Sequence, residues 1–395
     1  MKPLPKDIIY FSTADWDNPT WTNNQHMASR LARHGFRILY IESLGLRKPT
    51  VSGRDITRIY RRFKKGFRGL REVQENVWVY SPLVIPFHSR SSFRQLNRSL
   101  LKWGIHHHLQ SLRFQTPLFW TYNPLTFDLT GTFNESMIIY HCVDNLAASP
   151  RLPAGAIVPA EEHLVQRADL IFTTHPNLQA TLSRWNPAST YLFPNVADYS
   201  HFSAARKPGL VPDDLDSIPR PRIGFIGAVS NYKIDLECIA YIAEARKDWH
   251  WVMIGQIGEG EPETSIDLLR KPNIHFLGPK DYQSLPDYLR GIDVAVLPNR
   301  INDYTTSMFP MKFFEYLSAG KPVIATDLPA LHHYADVCSI VHTPEEFIES
   351  ISAALDGHGP DLDRRLQSAQ ENTWEIRLDH MEKILSEKWA RKNGS

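Results

Sequence analysis

The stretch Phe309-Pro310-Met311-Lys312-Phe313-Phe314-Glu315-Tyr316-Leu317-Ser318-Ala319-Gly320-Lys321-Pro322-Val323-Ile324-Ala325-Thr326-Asp327-Leu328-Pro329 contains a helix start, a helix stop and the following strand within one short run. Proline tolerates the first turn of a helix because its φ is already helical and its missing N–H has no partner to lose there. Gly320 then supplies a stop, and Pro322–Ala325 has the composition of a buried strand. Before this run, Asp293-Val294-Ala295-Val296-Leu297-Pro298 reads as another strand, joined to Pro310 by the polar loop Asn299–Phe309. The unit is strand, loop, helix, strand, which is how a parallel sheet is wound.

Working outward, the same alternation fills the chain. Expected strands precede this region at Arg222–Gly227, Trp251–Ile254 and Ile274–Leu277, and one follows at Ser339–His342. An earlier series runs through Ile8–Thr13, Arg37–Glu42, Val77–Ser81, Leu118–Tyr122, Met137–Val143, Leu170–Thr174 and Thr190–Phe193. Between the series lies a Pro- and Asp-rich stretch, Lys207–Pro221, which reads as a linker. A chain of 395 residues suits two domains. The expectation is α/β, two Rossmann-like doubly wound domains facing a cleft: 1–205, 206–370, and a terminal helix over 371–395.

With 42% apolar and 22% charged residues and a formal charge of +1, the composition is that of a globular protein. No apolar run approaches the roughly 20 residues that span a bilayer. The first residues show no hydrophobic signal region, which points to a cytoplasmic location. Cys142, Cys238 and Cys338 each sit inside an apolar pattern and read as buried thiols. His106-His107-His108 falls on a helix, where successive side chains diverge by about 100° and do not converge on one ion. No metal is expected.

Lys312 and Glu315 are three apart and share a helix face. Lys312 and the first-turn amides suit a diphosphate, and Glu315 suits the vicinal hydroxyls of a ribose. The plain alternative is a surface Lys–Glu pair on a core helix. Gly227, at the end of Ile223-Gly224-Phe225-Ile226-Gly227, allows backbone amides to approach an anion, although a tight strand-to-helix turn needs glycine anyway. At the end of Tyr140-His141-Cys142-Val143-Asp144-Asn145, Asp144 lies where open α/β sheets place reactive groups; it is a candidate general base or a helix cap.

The run from Phe309 to Pro329 resembles the donor-site signature of GT-B glycosyltransferases of bacterial cell-surface polysaccharide synthesis, of the family 4 type. The resemblance extends to Asn273–Pro279 with Tyr282 and Leu285, and to Trp21–Ala28, Leu31–Gly35 and Ile38–Glu42 in the first half. It implies transfer of a sugar from a nucleotide-diphosphate sugar, UDP-linked, to a saccharide or lipid-linked saccharide. In such enzymes the residue matching Glu315 holds the ribose. The loop before the helix, here with Ser307, wraps the diphosphate, and the loop with Gly278 and Tyr282 contacts the base. Two positions depart from the retaining members: Ser307 replaces an acid eight residues before Glu315, and Ala228 replaces an arginine after Gly227. Lys233 is the candidate replacement cation. The Met311–Lys312 pair and Asp144 resemble the inverting xanthan glucuronosyltransferase, which favours inversion with Asp144 as base. Asn24 and His26 are the acceptor-side candidates, and the terminal helix from Thr373-Trp374 is expected to cross back to the first domain. The competing readings are a nucleotide-sugar epimerase of the same fold and a non-catalytic saccharide- or lipid-binding subunit.

Between Arg54 and Arg71 lie eight basic residues and one acid, Asp55. Wound as a helix, the stretch sets Arg58, Arg61, Arg62 and Lys65 opposite Ile56, Ile59, Tyr60 and Phe63. Each basic residue near an anionic leaflet contributes on the order of 1 kcal/mol. The expectation is peripheral attachment at the inner face of the plasma membrane; the alternative is a helix docked on the core with a solvated basic side. The rest of the chain has no basic excess to follow a nucleic-acid backbone.

Overall fold

The computed structural model describes residues 3–18, 21–43, 69–82, 91–150, 152–259 and 261–394. They form two compact units, one of Met1–Phe193 with Leu378–Ser395, the other of Pro194–Arg377.

The first unit is built on an eight-stranded sheet in the order β3-β4-β2-β1-β5-β6-β7-β8. Its strands are β1 (Asp7–Phe11), β2 (Arg37–Ile41), β3 (Arg71–Gln74), β4 (Val77–Tyr80), β5 (Leu118–Thr121), β6 (Met137–Cys142), β7 (Leu170–Thr173) and β8 (Thr190–Leu192). All neighbours are parallel except β3 and β4, an antiparallel hairpin turned at Asn76 with φ 65°. The helices are α1 (Asn23–Arg33), α2 (Ser91–Ser111), α3 (Ala154–Arg167) and α4 (Pro176–Ser183). β1 and β7 are buried along their whole length, as strands covered by helices on both faces must be. One face packs Ile9, Phe11, Leu39 and Phe119 against Leu101, Ile105 and Leu109 of α2. The other, around Tyr140, Cys142 and Ile171, receives Leu164 and Val165 of α3.

The second unit carries six parallel strands in the order β11-β10-β9-β12-β13-β14: β9 (Arg222–Ile226), β10 (His250–Ile254), β11 (Ile274–Gly278), β12 (Val294–Leu297), β13 (Val323–Thr326) and β14 (Ser339–Val341). Counted within the unit this is 3-2-1-4-5-6, the order of the dinucleotide-binding fold, whose ligand crevice lies where the winding reverses. That point is between β9 and β12. The helices are α5 (Leu236–Ala245), α6 (Leu285–Gly291), α7 (Lys312–Ser318), α8 (Pro344–Leu355), α9 (Leu362–Glu371) and α10 (Trp374–Asn393). α10 begins in this unit and continues, from Leu378, in the first, where Lys392 pairs with Asp169 at 2.8 Å and Glu382 with His34 at 2.7 Å.

Two features differ from the sequence reading. The expected strands are all present, but β3 was not expected. The Pro- and Asp-rich stretch Lys207–Pro221 is built into the second unit: Leu215 and Ile218 are buried in its core, and Arg222 binds the carbonyls of Ile218 and Asp216 at 2.7 and 2.9 Å. Cys142, Cys238 and Cys338 are buried and free. Among the described residues no helix is long and apolar enough to cross a membrane, and no group of three or more His, Cys, Asp or Glu side chains is placed to hold a metal ion. The rings of His106, His107 and His108 contact Phe133, Trp103 and Tyr80 respectively. Arg58, Arg61, Arg62 and Lys65 lie outside the described residues.

Candidate functional site

In the second unit the candidate residues gather on α7 and the loops beside it. The helix is shorter than the sequence suggested. Pro310 and Met311 lead into it, Pro310 O accepting from Phe313 N–H at 3.1 Å, and the helical hydrogen bonding covers only Lys312–Ser318. Gly320 ends it at φ +74°, a left-handed conformation that side chains other than glycine's resist. Phe313, Phe314, Tyr316 and Leu317 are wholly buried and fix the helix against the sheet. The Tyr316 hydroxyl accepts the amide of Ile226 at 2.8 Å, which ties α7 to the last residue of β9, immediately before Gly227.

On the remaining face, Lys312 Nζ reaches both Glu315 carboxylate oxygens, at 2.9 and 3.1 Å. Glu315 is only 3% exposed. Burial pushes its carboxyl above the usual range, while Lys312 and, more weakly, His201 act in the other direction. A buried pair of this kind is costly to break by deleting one member, yet each member can exchange the other for a ligand of the same charge pattern. Met311 and Ser307 are half-buried. The Ser307 amide bonds to Tyr304 O at 3.2 Å and closes the turn Thr305–Ser307.

The loop that ends β11 reaches the same neighbourhood. Gly278 has φ +70°, and Tyr282 stacks on His201 with ring centroids 4.6 Å apart and planes 13° from parallel. His201 Nε2 donates to Tyr282 O at 2.9 Å, which fixes the imidazole. Gly227 and Gly278 belong to a close backbone layer with Gly255: the Gly227 amide bonds to Ile254 O and the Gly255 amide to Gly278 O. A Cβ on Gly255 would lie 1.9 Å from Gly227 O. This third glycine, like His201 and Tyr316, went unnoticed in the sequence because its partners are distant along the chain.

Lys233 belongs to the loop that follows β9. Its ammonium lies 5.3 Å from the ring centres of both Tyr232 and Tyr304, and its carbonyl accepts from Arg300 N and Asn299 Nδ2. Asn302 binds Tyr232 O and the amides of Tyr304 and Thr305. The two loops at the β9–β12 reversal are therefore joined to each other.

In the first unit Asp144 is half-buried, two residues past β6. The side chain that caps the following turn belongs to Asn145, which accepts from Ala148 N at 3.3 Å. Below it, the Tyr140 hydroxyl donates to Glu161 at 2.5 Å and Cys142 Sγ approaches the same carboxyl at 3.7 Å; burial pushes the Glu161 carboxyl up. The neighbouring strand end is stitched to the Asp144 loop by Thr174 Oγ1, which donates to Val143 O at 2.8 Å. Next comes His175, 1% exposed. Its Nδ1 accepts from Asn177 N at 3.0 Å and caps α4, so the ring proton is on Nε2, which has no hydrogen-bond partner among the described residues. Desolvation lowers this imidazole's pKa from 6.5 to about 4.

Asn24 and His26 occupy the start of α1 and are buried. Asn24 Oδ1 accepts from Ser12 Oγ and Thr13 N at 2.9 and 3.1 Å. The His26 ring lies edge-on to Trp21, with Nδ1 3.2 Å from Arg30 Nη1. Around them, Tyr10 OH and Tyr122 OH are 2.8 Å apart, and Tyr122 OH reaches Asn23 Oδ1 at 3.0 Å. The sequence reading missed this network.

Residues 220–357 match the family of glycosyl transferases group 1. This is a glycosyltransferase group 1 domain. It contains Gly227, Lys233, Gly278, Tyr282, Ser307, Met311, Lys312 and Glu315. Over both units the chain has the GT-B glycosyltransferase fold. It aligns with the sucrose-phosphate synthase of Thermosynechococcus elongatus at a TM-score of 0.70 and 15% identity, covering 98% of this chain and 100% of that one. Anabaena HepE in complex with UDP and glucose aligns at 0.67 and 12% identity, covering 97% and 100%. In sequence, the chain is 30% identical over 217 residues to the putative teichuronic acid biosynthesis glycosyltransferase TuaH of Bacillus subtilis (strain 168), 51% of this chain and 53% of that protein. The match thus spans about half the length of that curated relative.

Proposed function

We propose that the chain transfers a sugar from a UDP-sugar to a saccharide or lipid-linked saccharide acceptor in cell-surface polysaccharide synthesis. The observation that carries this reading is the buried Lys312–Glu315 pair, set on the helix after β12 inside the glycosyltransferase group 1 domain. When the donor binds, Lys312 exchanges Glu315 for the diphosphate, and Glu315 accepts hydrogen bonds from the ribose hydroxyls instead. Lys312 thereby stabilises the leaving diphosphate as its charge grows, with Lys233 as a second cation, and no metal is required. The Gly278–Tyr282 loop serves the base. UDP is favoured by HepE, which was solved with it, and the polymer context by TuaH, which is named for teichuronic acid biosynthesis.

The acceptor proton goes to Asp144, which fits an inverting displacement. It stands at the carboxyl end of β6, where an open α/β sheet presents its reactive groups. Asn24 and His26 serve the acceptor side from the start of α1. Their existing hydrogen bonds suit a positioning role. The enzyme works in the cytoplasm at the inner leaflet, held by the basic run that includes Arg58, Arg61, Arg62 and Lys65.

A thermal-shift panel of UDP-, ADP- and GDP-sugars tests the donor, because a ligand that binds only the native state raises the melting temperature. Stabilisation by UDP-sugars that Glu315→Ala abolishes supports the reading. Donor binding that survives Glu315→Ala favours a non-catalytic subunit, and an epimerised sugar nucleotide with no acceptor product favours an epimerase.

A further inference from the structure

The Gly278–Tyr282 loop is held in place by the segment that precedes β9. Past Gly278 the chain leaves the sheet, and there Asp214 takes Lys280 Nζ at 2.6 Å and the Tyr288 hydroxyl at 2.9 Å, while His201 takes Tyr282. His201 is itself fixed by its neighbours. Asp198 Oδ1 accepts its amide at 3.0 Å and caps the helical turn Tyr199–Phe202, and Phe202, fully buried in the unit's core, sets the rotation of that turn. The imidazole lies nearly flat on the half-buried Tyr282 ring, and Phe202 stands edge-on to both rings, with centroids at 4.9 and 5.6 Å. Nε2–H donates to Tyr282 O, which also accepts from the Leu285 amide. A stack alone lets two rings slide, whereas a stack joined to a hydrogen bond on the same residue's backbone fixes the ring and its loop together. The same imidazole lies close enough to Glu315 for its charge to act on that carboxylate.

We propose that His201 sets the base selectivity of the donor site, as a positioning residue that holds Tyr282 at a spacing suited to a pyrimidine. This rests on the UDP-sugar reading given above and names the residue that enforces it. Neither member of the Lys312–Glu315 pair can tell one base from another, because every nucleoside diphosphate carries the same ribose and the same diphosphate. Discrimination therefore falls to the loop that meets the base, and to whatever keeps that loop from yielding. A wall that cannot retreat admits a one-ring base and rejects a two-ring base. For Tyr282 to make room for a purine, the His201 stack and the bond to Tyr282 O have to be given up together. His201 acts through Tyr282 and does not itself contact the base.

The test titrates the full chain with UDP, ADP and GDP in a calorimeter and reads the ratio of their affinities. The wild type is expected to bind UDP roughly tenfold or more tighter than either purine nucleotide, and in His201→Ala that ratio should fall by about tenfold. His201→Phe keeps a ring against Tyr282 and gives up the bond, so its ratio should lie between the two. If the alanine variant does not fold, the phenylalanine variant carries the test, with an expected fall of about threefold. In a Tyr282→Ala background, adding His201→Ala should leave the ratio where Tyr282→Ala alone puts it, since the two residues act as one unit. A wild-type ratio in the folded His201 variants overturns the proposal and leaves the UDP donor standing. Equal weakening of all three nucleotides makes His201 a fold element and likewise overturns it. A wild type that binds the three alike, or prefers a purine, overturns the proposal together with the UDP assignment. A wild type that binds none of them overturns the nucleotide-sugar reading as well.

Discussion

At the reversal between β9 and β12, the helix that follows β12 carries a lysine and a glutamate three residues apart, bonded to each other. At the equivalent reversal between β1 and β5, the polar groups are Tyr10, Ser12, Asn23, Asn24, Tyr40 and Tyr122, drawn from four segments and bonded into one network. The sheets are wound alike, yet the second unit keeps a charge pair that a ligand of matching pattern can divide. The first has spent its polar atoms on holding its own loops. On the function proposed above, reactivity in the first unit falls to the next strand, where Asp144 follows β6. The burial that raises the Tyr40 hydroxyl's pKa, with the Ser12 bond lowering it more weakly, fits a neutral, structural network.

Asp144→Asn gives the largest expected effect. If Asp144 removes the acceptor proton, turnover falls by about 10²–10⁴-fold, the usual share of a general base, while donor affinity measured by calorimetry stays as in the wild type. Unchanged turnover would break the division of labour between the units and remove Asp144 from catalysis. Glu315→Ala comes next and acts on the opposite property. Loss of the ribose acceptor should weaken UDP-sugar binding by about 100-fold, or roughly 2.7 kcal/mol. Glu315→Gln keeps the shape and one acceptor oxygen but loses the charge, so it should recover only part of that loss. An undiminished affinity in both variants would make the pair a fold element, like the tyrosines of the first unit.

How much of this was legible follows the same division. The Lys312–Glu315 pair was readable because three residues of helix bring its members together, and Pro310 and Gly320 mark the ends of the run. The parallel strands were readable because burial on both faces leaves near-continuous apolar runs. β3 was not, since Arg71-Glu72-Val73-Gln74 has one apolar residue and pairs only at the sheet's edge. The segment before β9 looked like a linker from its prolines and aspartates; the anchors that build it into the unit, Leu215 and Ile218, are single residues within polar surroundings. Gly255, Tyr316 and His201 act through partners far along the chain, and no local pattern announces them. His175 differs in that its capping bond to Asn177 is local, while its burial is set by the surrounding fold.

His175 sharpens the comparison through pH. Its pKa is about 4 in the folded chain against an ordinary 6.5, so the native state is favoured by its neutral form above pH 6.5, and that stability is lost as pH falls from 6.5 toward 4. The full loss through this one group is at most about 3 kcal/mol. Asparagine also caps helices and does not titrate in this range, so His175→Asn should hold its unfolding free energy more nearly constant between about pH 7 and pH 4.5 in urea titrations. Parallel pH slopes in the two proteins would show that the imidazole is hydrated in solution.

The smallest expected effect tests whether the network at β1 and β5 is structural throughout. Thr22 caps α1: its hydroxyl accepts from Asn24 N at 3.4 Å, and its own N–H donates to the Gln25 side-chain oxygen at 3.0 Å. The Gln25 amide also reaches Asp15 O at 2.8 Å, so the cap fixes the loop before α1 along with the helix. Thr22→Ala removes the hydroxyl's bonds to Asn24 N, Asn24 Nδ2 and Gln25 Oε1 and should cost about 1 kcal/mol of stability. Asn24 keeps its bonds to Ser12 and Thr13, and an undisturbed Asn24 implies an acceptor KM within about twofold of the wild type, since a shift of that size is under 0.5 kcal/mol. A larger rise in KM with kcat unchanged would mean that Asn24 or His26 touches the acceptor and that the cap is holding a binding surface in place.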